Sequence, residues 1–267
     1  MKYSTSPTPS ASNYPRSTSP LPAPANYHPT TASAAVKRYK YLRRLFKFNQ
    51  MDFEFAAWQM FYLFISPQKV FRNFSYRKQT KSQFARDDPA FLVLFSAWLL
   101  VTSIAFAITL GLGLGKFLLF TLFVIAVDFI GSGVIVSTFF WFMSNKYLRL
   151  DRSPGAPDVE WGYSFDVHMN AFFPPLALLH FFQLIFFHNL LDDVHIIACV
   201  IVNAVWLASI IYYLYITFLG YSSLQILQNT RIFLFPLPIL VICYILTVFM
   251  RLNLSRMLVN FYFYRIA

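Results

Sequence analysis

From Phe91 to Leu110 the chain runs for twenty residues without a charge. At about 1.5 Å per helical residue that is enough to cross a hydrocarbon layer of about 30 Å. No water reaches that depth, so the segment must satisfy its own backbone N–H and C=O groups, and a helix does so. Four further apolar blocks follow, Phe117 to Met143, Ala171 to Phe187, Ile196 to Leu219 and Ile232 to Met250. The pattern predicts an all-α integral membrane protein, with a bundle of five transmembrane helices in residues 89–250. Composition agrees, because 57% of the 267 residues are hydrophobic and only 12% are charged, against roughly a quarter in soluble domains.

The junctions carry helix signals. In RDDP, Asp88 is placed to cap the first span and Pro89 falls in its first turn, where a missing N–H costs nothing. GLGLG, Gly111 to Gly115, follows an apolar helix rather than a strand, so it reads as a tight turn and not as a dinucleotide loop. Pro174 and Pro175 interrupt the third block and Pro236 and Pro238 the fifth, and these predict kinks, which membrane helices tolerate. Phe55 to Ile65 is apolar but only eleven residues long, too short to span, and reads as a half-buried interfacial helix. Cys199 and Cys243 lie inside apolar blocks and read as packing residues.

Residues 1–36, rich in Ser, Thr, Pro and Ala, predict a disordered tail without the apolar core of a signal peptide. Residues 37–88 form a basic, aromatic region. In KRYKYLRRLFKF, Lys37 to Phe48, helical geometry puts Lys37, Lys40, Arg44 and Lys47 on one face and Tyr39, Leu42, Leu45 and Phe46 on the other. Such a helix suits an anionic membrane surface or a partner protein. The same cations, Lys37, Arg38, Lys40, Arg43, Arg44 and Lys47, can also grip RNA phosphates, although no RNA-binding module accompanies them. A second basic cluster spans Tyr76 to Arg86. Fourteen Lys and Arg precede the first span, and Lys146, Arg149 and Arg152 follow the second, so basic loops place the N-terminus in the cytosol. Residues 251–267 then become a lumenal C-terminal tail, against the pull of Arg251, Arg256 and Arg265. Two sequons, at Asn73 and Asn253, report on this, since only a lumenal one can be modified.

Few polar residues interrupt the spans. Asp128 sits mid-span, where a charge costs about 2.5–3.5 kcal/mol on insertion scales. It serves either a proton or ion pathway in a small transporter or channel, or a hydrogen bond inside the bundle to a group such as His180, Gln183 or Asn203. DVEWGYSFDVH offers Asp158, Glu160, Asp166 and His168, a set open to metal or acid–base use. No known ligand spacing fits them, and the start of a helix with interfacial Trp161 and Tyr163 accounts for the stretch better. His188 and His195 bracket a turn holding Asp192 and Asp193. Catalytic motifs, metal grammar and cofactor loops are all missing, so the expectation is a protein that is not an enzyme, with no cofactor and no small-molecule substrate.

The words KRYKYLRRLF, MDFEFAAWQM, RKQTK, ARDDPAFLVL, WFMSNKYL, DVEWGYSFDVHMNAF and TFLGYS, in this order, resemble the uncoordinated-fifty family of Golgi membrane proteins from about Lys37 onward. The resemblance implies five spans and a place in the Golgi and early secretory pathway. It implies a role in vesicular transport and delivery of multi-subunit receptors to the cell surface, and contact with large Arf guanine-nucleotide exchange factors. RNA binding and the inner nuclear membrane also come with it, and catalytic residues do not.

Overall fold

The computed structural model describes residues 39, 41, 43–72, 88–186 and 195–267. Five of its helices are long and apolar enough to cross a membrane. A shorter helix, α1 (Phe53–Ile65), precedes the first span. The spans are α2 (Ala90–Thr109), α3 (Leu114–Leu148), α4 (Trp161–Phe186), α5 (Ile196–Ser222) and the segment Thr230–Phe249. In that last segment a 3₁₀ turn, Thr230–Leu234, leads into α6 (Leu237–Phe249). A seventh helix, α7 (Leu254–Ile266), follows the fifth span.

Several boundaries differ from the apolar blocks for physical reasons. α4 begins at Trp161, ten residues before the third block, and continues through Pro174 and Pro175. Asp166 and His168 broke the apolar run, yet both lie buried on this helix. α3 extends beyond the second block at both ends. Two stretches within it, Phe123–Gly131 and Ser144–Leu148, are wound as π-helix. Pro236 and Pro238 fall where the 3₁₀ turn gives way to α6 and do not interrupt that helix. One is the residue before α6 and the other lies in its first turn, where proline removes no hydrogen bond.

The turn between α2 and α3 reverses the chain in four residues, Leu110 to Gly113. Gly111 takes φ 63°, and Leu112 N donates back to Ala107 O at 2.9 Å, a left-handed helix stop that glycine adopts at no steric cost. Arg251 takes φ 53° after α6, with Leu252 N donating to Thr247 O at 2.9 Å. Both turns lie at one end of the bundle.

At the opposite end α1 is packed in rather than left at the edge. Its own cap is Asp52, whose carboxylate accepts from Phe55 N at 2.8 Å. Asp88 accepts from Ala90 N at 3.0 Å with one oxygen and from Asp52 N at 2.8 Å with the other. The cap residue of α2 is Pro89, not Asp88 as foreseen, and Asp88, one residue earlier, pins the start of α1 to the start of α2. Gln59 is buried on α1 and donates to Asn170 Oδ1 on α4 at 2.9 Å. Tyr212 of α5 donates to Leu63 O at 2.7 Å. The loop of residues 149–160 is tied down at this end, with Asn145 exchanging two hydrogen bonds with the Val159 backbone.

α4 is the axis of the bundle. Close helix approach is made possible by Gly133 on α3 and Gly220 on α5. A Cβ at Gly133 would stand 2.5 Å from Met169 Cε, and one at Gly220 2.7 Å from Val167 Cγ1. In lipid, where apolar side chains gain little by leaving their solvent, such small-residue contacts and buried hydrogen bonds are what associate helices.

Candidate functional site

Several intramembrane polar residues, Asp128, Gln183, Asn203 and Trp206 among them, converge on α7 or the turn that leads into it. Asp128 lies in the π-helical stretch of α3. Arg265 Nη1 and Nη2 donate to its two carboxylate oxygens at 2.7 and 2.9 Å. The expectation that Asp128 would bond to His180, Gln183 or Asn203 is therefore corrected. Its partner is a guanidinium brought back by the C-terminal helix, which offers a full opposite charge and a matching two-pronged geometry. The Arg265 guanidinium also lies over the Phe123 ring, 4.5 Å from its centroid. The aromatic face shields the cation and adds a favourable quadrupole contact.

Asn203 and Gln183 serve the other end of the same helix. Asn203 Nδ2 donates to Leu252 O at 2.8 Å, and its Oδ1 accepts from Leu254 N at 3.2 Å, so one amide straddles the turn into α7. Ser255 Oγ accepts from Gln183 Nε2 at 3.1 Å and from Trp206 Nε1 at 2.9 Å. Asn253 caps the helix by accepting from Arg256 N at 3.1 Å and is buried. The sequon at Asn253 is thus built into a helix start. Residues 251–267, read as a tail, include a helix packed on the bundle.

His180 is not part of this arrangement. Its Nδ1 meets Thr102 Oγ1 at 3.0 Å, linking α4 to α2. His168 Nδ1 meets Tyr213 OH at 2.8 Å between α4 and α5, and Tyr163 OH donates to Gly220 O at 2.6 Å. The polar residues of the spans join neighbouring helices in separate pairs and do not line a common path. Among the described residues no group of three or more His, Cys, Asp or Glu is placed to hold a metal ion. Cys199 is buried and Cys243 is on an exposed face of α6.

Of the basic stretch, Lys37, Arg38 and Lys40 lie outside the described residues, as do the cluster Tyr76 to Arg86, His188, Asp192, Asp193 and Asn73. Helix is present at residues 43–45 and gives way to a turn at Phe46, with Lys47 beyond it. Arg43, Phe46, Lys47 and Phe48 are exposed, and Arg44 is half-buried.

Ser255 and Trp206 escaped attention in the sequence, and Arg265 was noted only among the three cations that pull the C-terminal segment toward the cytosol. It is a lone cation in the apolar run LVNFYFYRI, a pattern that a charge at membrane depth shares with a charge in a tail.

Comparison with known proteins gives one family. The model of the UNC-50 family matches residues 41–263. A Drosophila melanogaster protein described as "Protein unc-50 homolog" is 54% identical over 270 residues, covering 100% of this chain and 98% of its own. Proteins of the same description from Bos taurus and Homo sapiens are 53% and 52% identical over 234 residues, covering 88% of this chain and 90% of theirs. No solved structure matches the chain.

Proposed function

Because the chain belongs to the UNC-50 family, we propose that this multi-pass membrane protein works without catalysis in the Golgi and early secretory pathway. It supports vesicular transport and the delivery of multi-subunit receptors to the cell surface. The N-terminal region faces the cytosol and docks a large Arf guanine-nucleotide exchange factor beside the bilayer, while α7 lies toward the lumenal end. RNA binding by the same cations is a lesser part of the proposal.

The observation that carries it is the run of exposed basic and aromatic side chains at Arg43, Phe46, Lys47 and Phe48, next to a bundle in which Asp128, His168, His180, Gln183 and Asn203 are each held by another segment of the chain. A basic, aromatic strip beside a bilayer gains both from anionic headgroups and from a partner's acidic surface. The transporter reading of Asp128 loses support, because a carboxylate held by both guanidinium nitrogens is committed to an intrachain contact.

The test reverses the charges of Arg43, Arg44 and Lys47 in the full chain and measures recovery of the exchange factor on Golgi membranes. Recovery is expected to fall at least fivefold while the variant stays correctly localised. Unchanged recovery in a correctly localised variant rejects the docking role. Crosslinking to RNA in the same variant reports separately on nucleic acid.

A further inference from the structure

α7 is thirteen residues long, about 20 Å and too short to cross a membrane. It starts at the turn that ends the fifth span, yet its last turn reaches Asp128, well inside α3. It therefore runs back alongside the spans it has just left. The contacts that hold it come from different helices. Gln183 belongs to α4, Asn203 and Trp206 to α5, and Phe120, whose ring lies 5.3 Å from that of Tyr262, belongs to α3. Val259, Tyr262 and Ile266 turn one face inward, and Met257, Phe261 and Tyr264 the other outward.

No single span presents this docking surface. It comes into existence when α3, α4 and α5 are side by side, and α7 is delivered to it by the fifth span. Until then Asp128 stands at membrane depth without its partner, and an unpaired charge there is strongly disfavoured. Docking brings Arg265 to it and removes that cost.

We propose that Leu254–Ile266 is a re-entrant strap that closes last over the assembled bundle, with the Asp128–Arg265 pair as its lock. Closure then depends on every span it touches being correctly placed, which makes the strap a built-in check on completed membrane assembly. The pair is a positioning device, so its charges are exchangeable as long as they remain opposite.

The experiment uses the full chain in native membranes with Cys199 and Cys243 replaced by Ala. One cysteine pair, Phe120→Cys with Tyr262→Cys, reports strap closure through a short thiol-reactive crosslinker. A second pair, Thr138→Cys with Trp161→Cys, reports the approach of α3 and α4 where Trp161 Nε1 donates to Thr138 Oγ1 at 3.0 Å. Asp128→Asn or Arg265→Gln should lower the strap crosslink at least fivefold and leave the second crosslink within twofold. Exchanging the charges, Asp128→Arg with Arg265→Asp, should restore the strap crosslink to within twofold of the parent. After a pulse of synthesis the 138–161 crosslink should appear before the 120–262 crosslink. The proposal is overturned if the single variants still close, if the exchanged pair fails to close, if both crosslinks vanish together, or if the strap crosslink forms first.

Discussion

The third and fifth spans differ in a way that would be reversed in a water-soluble protein. Over its most apolar stretch α4 buries 56% of its residues against the rest of the bundle, and the fifth span buries 6%. Yet α4 is the least apolar of the five and the fifth span the most. In water the most hydrophobic helix goes to the centre because leaving the solvent is what it gains. In lipid that gain is missing, since acyl chains solvate Ile and Leu as well as a protein core does. The centre goes instead to the helix with something to bond. α4 carries Tyr163, His168, Asn170, His180 and Gln183, each paired to another helix, whereas α6 buries no residue at all.

The contrast is sharpened first by crowding the axis. Gly220→Ala would drive a methyl into Val167, a β-branched side chain with little rotamer freedom in a helix, and into the Phe71 ring at 3.2 Å. We expect a loss of about 3 kcal/mol, the upper part of the range for overpacked sites, measured by denaturation of the purified protein in detergent micelles. Gly133→Ala should cost clearly less, because the atom it meets is the mobile end of Met169.

A smaller loss is expected at the clasp between α5 and the turn after α6. Asn203→Leu removes bonds to Leu252 O, Leu254 N and Thr247 Oγ1, and at an average of about 0.6 kcal/mol per intramembrane bond the total is about 2 kcal/mol. The same micellar titration measures it. On the fifth span, Ile245→Ala removes an exposed side chain and should change stability by less than about 0.5 kcal/mol. A loss of the size seen in the core would mean that the outer face is covered by protein rather than lipid.

The least effect should come from the loop outside the membrane. Ser153 N donates to Asp151 at 2.9 Å, and the Ser153 backbone and hydroxyl hold this carboxyl below its ordinary value of 3.8. A depressed carboxyl contributes order above its ordinary value and loses it as pH falls through the lowered one. Protection factors of residues 149–160, with the intrinsic pH dependence of amide exchange divided out, should therefore be constant from neutral pH down to the ordinary carboxylate range and fall only below it, and Asp151→Asn should flatten that response.

The five spans were legible because a long uncharged run has almost no alternative to a membrane helix. The start of α4 was legible as a helix start around Trp161 and Tyr163 but not as part of the third span, because Asp166 and His168 break the apolar run and α5 supplies Tyr213 as a partner only in the fold. Asp128 was recognisable as unusual, but its partner stands 137 positions away in a stretch that basic residues made look like a tail. Charge counting weighs side chains by their side of the bilayer and has no means to represent a cation that folds back into it. Asn253 fits a modification motif in sequence, and the same three residues fit a helix start. Local spacing cannot distinguish the two.

The π-helical turn around Asp128 has a consequence for the whole of α3. An α-helix advances about 100° per residue, and a widened turn holds one residue more than its neighbours. Everything beyond Gly131 is therefore set at a different angular phase from the one an unbroken α-helix would give it. Asp128 meets Arg265 within that stretch and Gly133 meets Met169 just beyond it. Both contacts are satisfied by one phase offset, so removing a single residue from Phe123–Gly131 would act like slipping a gear by one tooth. The half of the helix before the deletion would keep its neighbours, and the half after it would turn Gly133 away from α4.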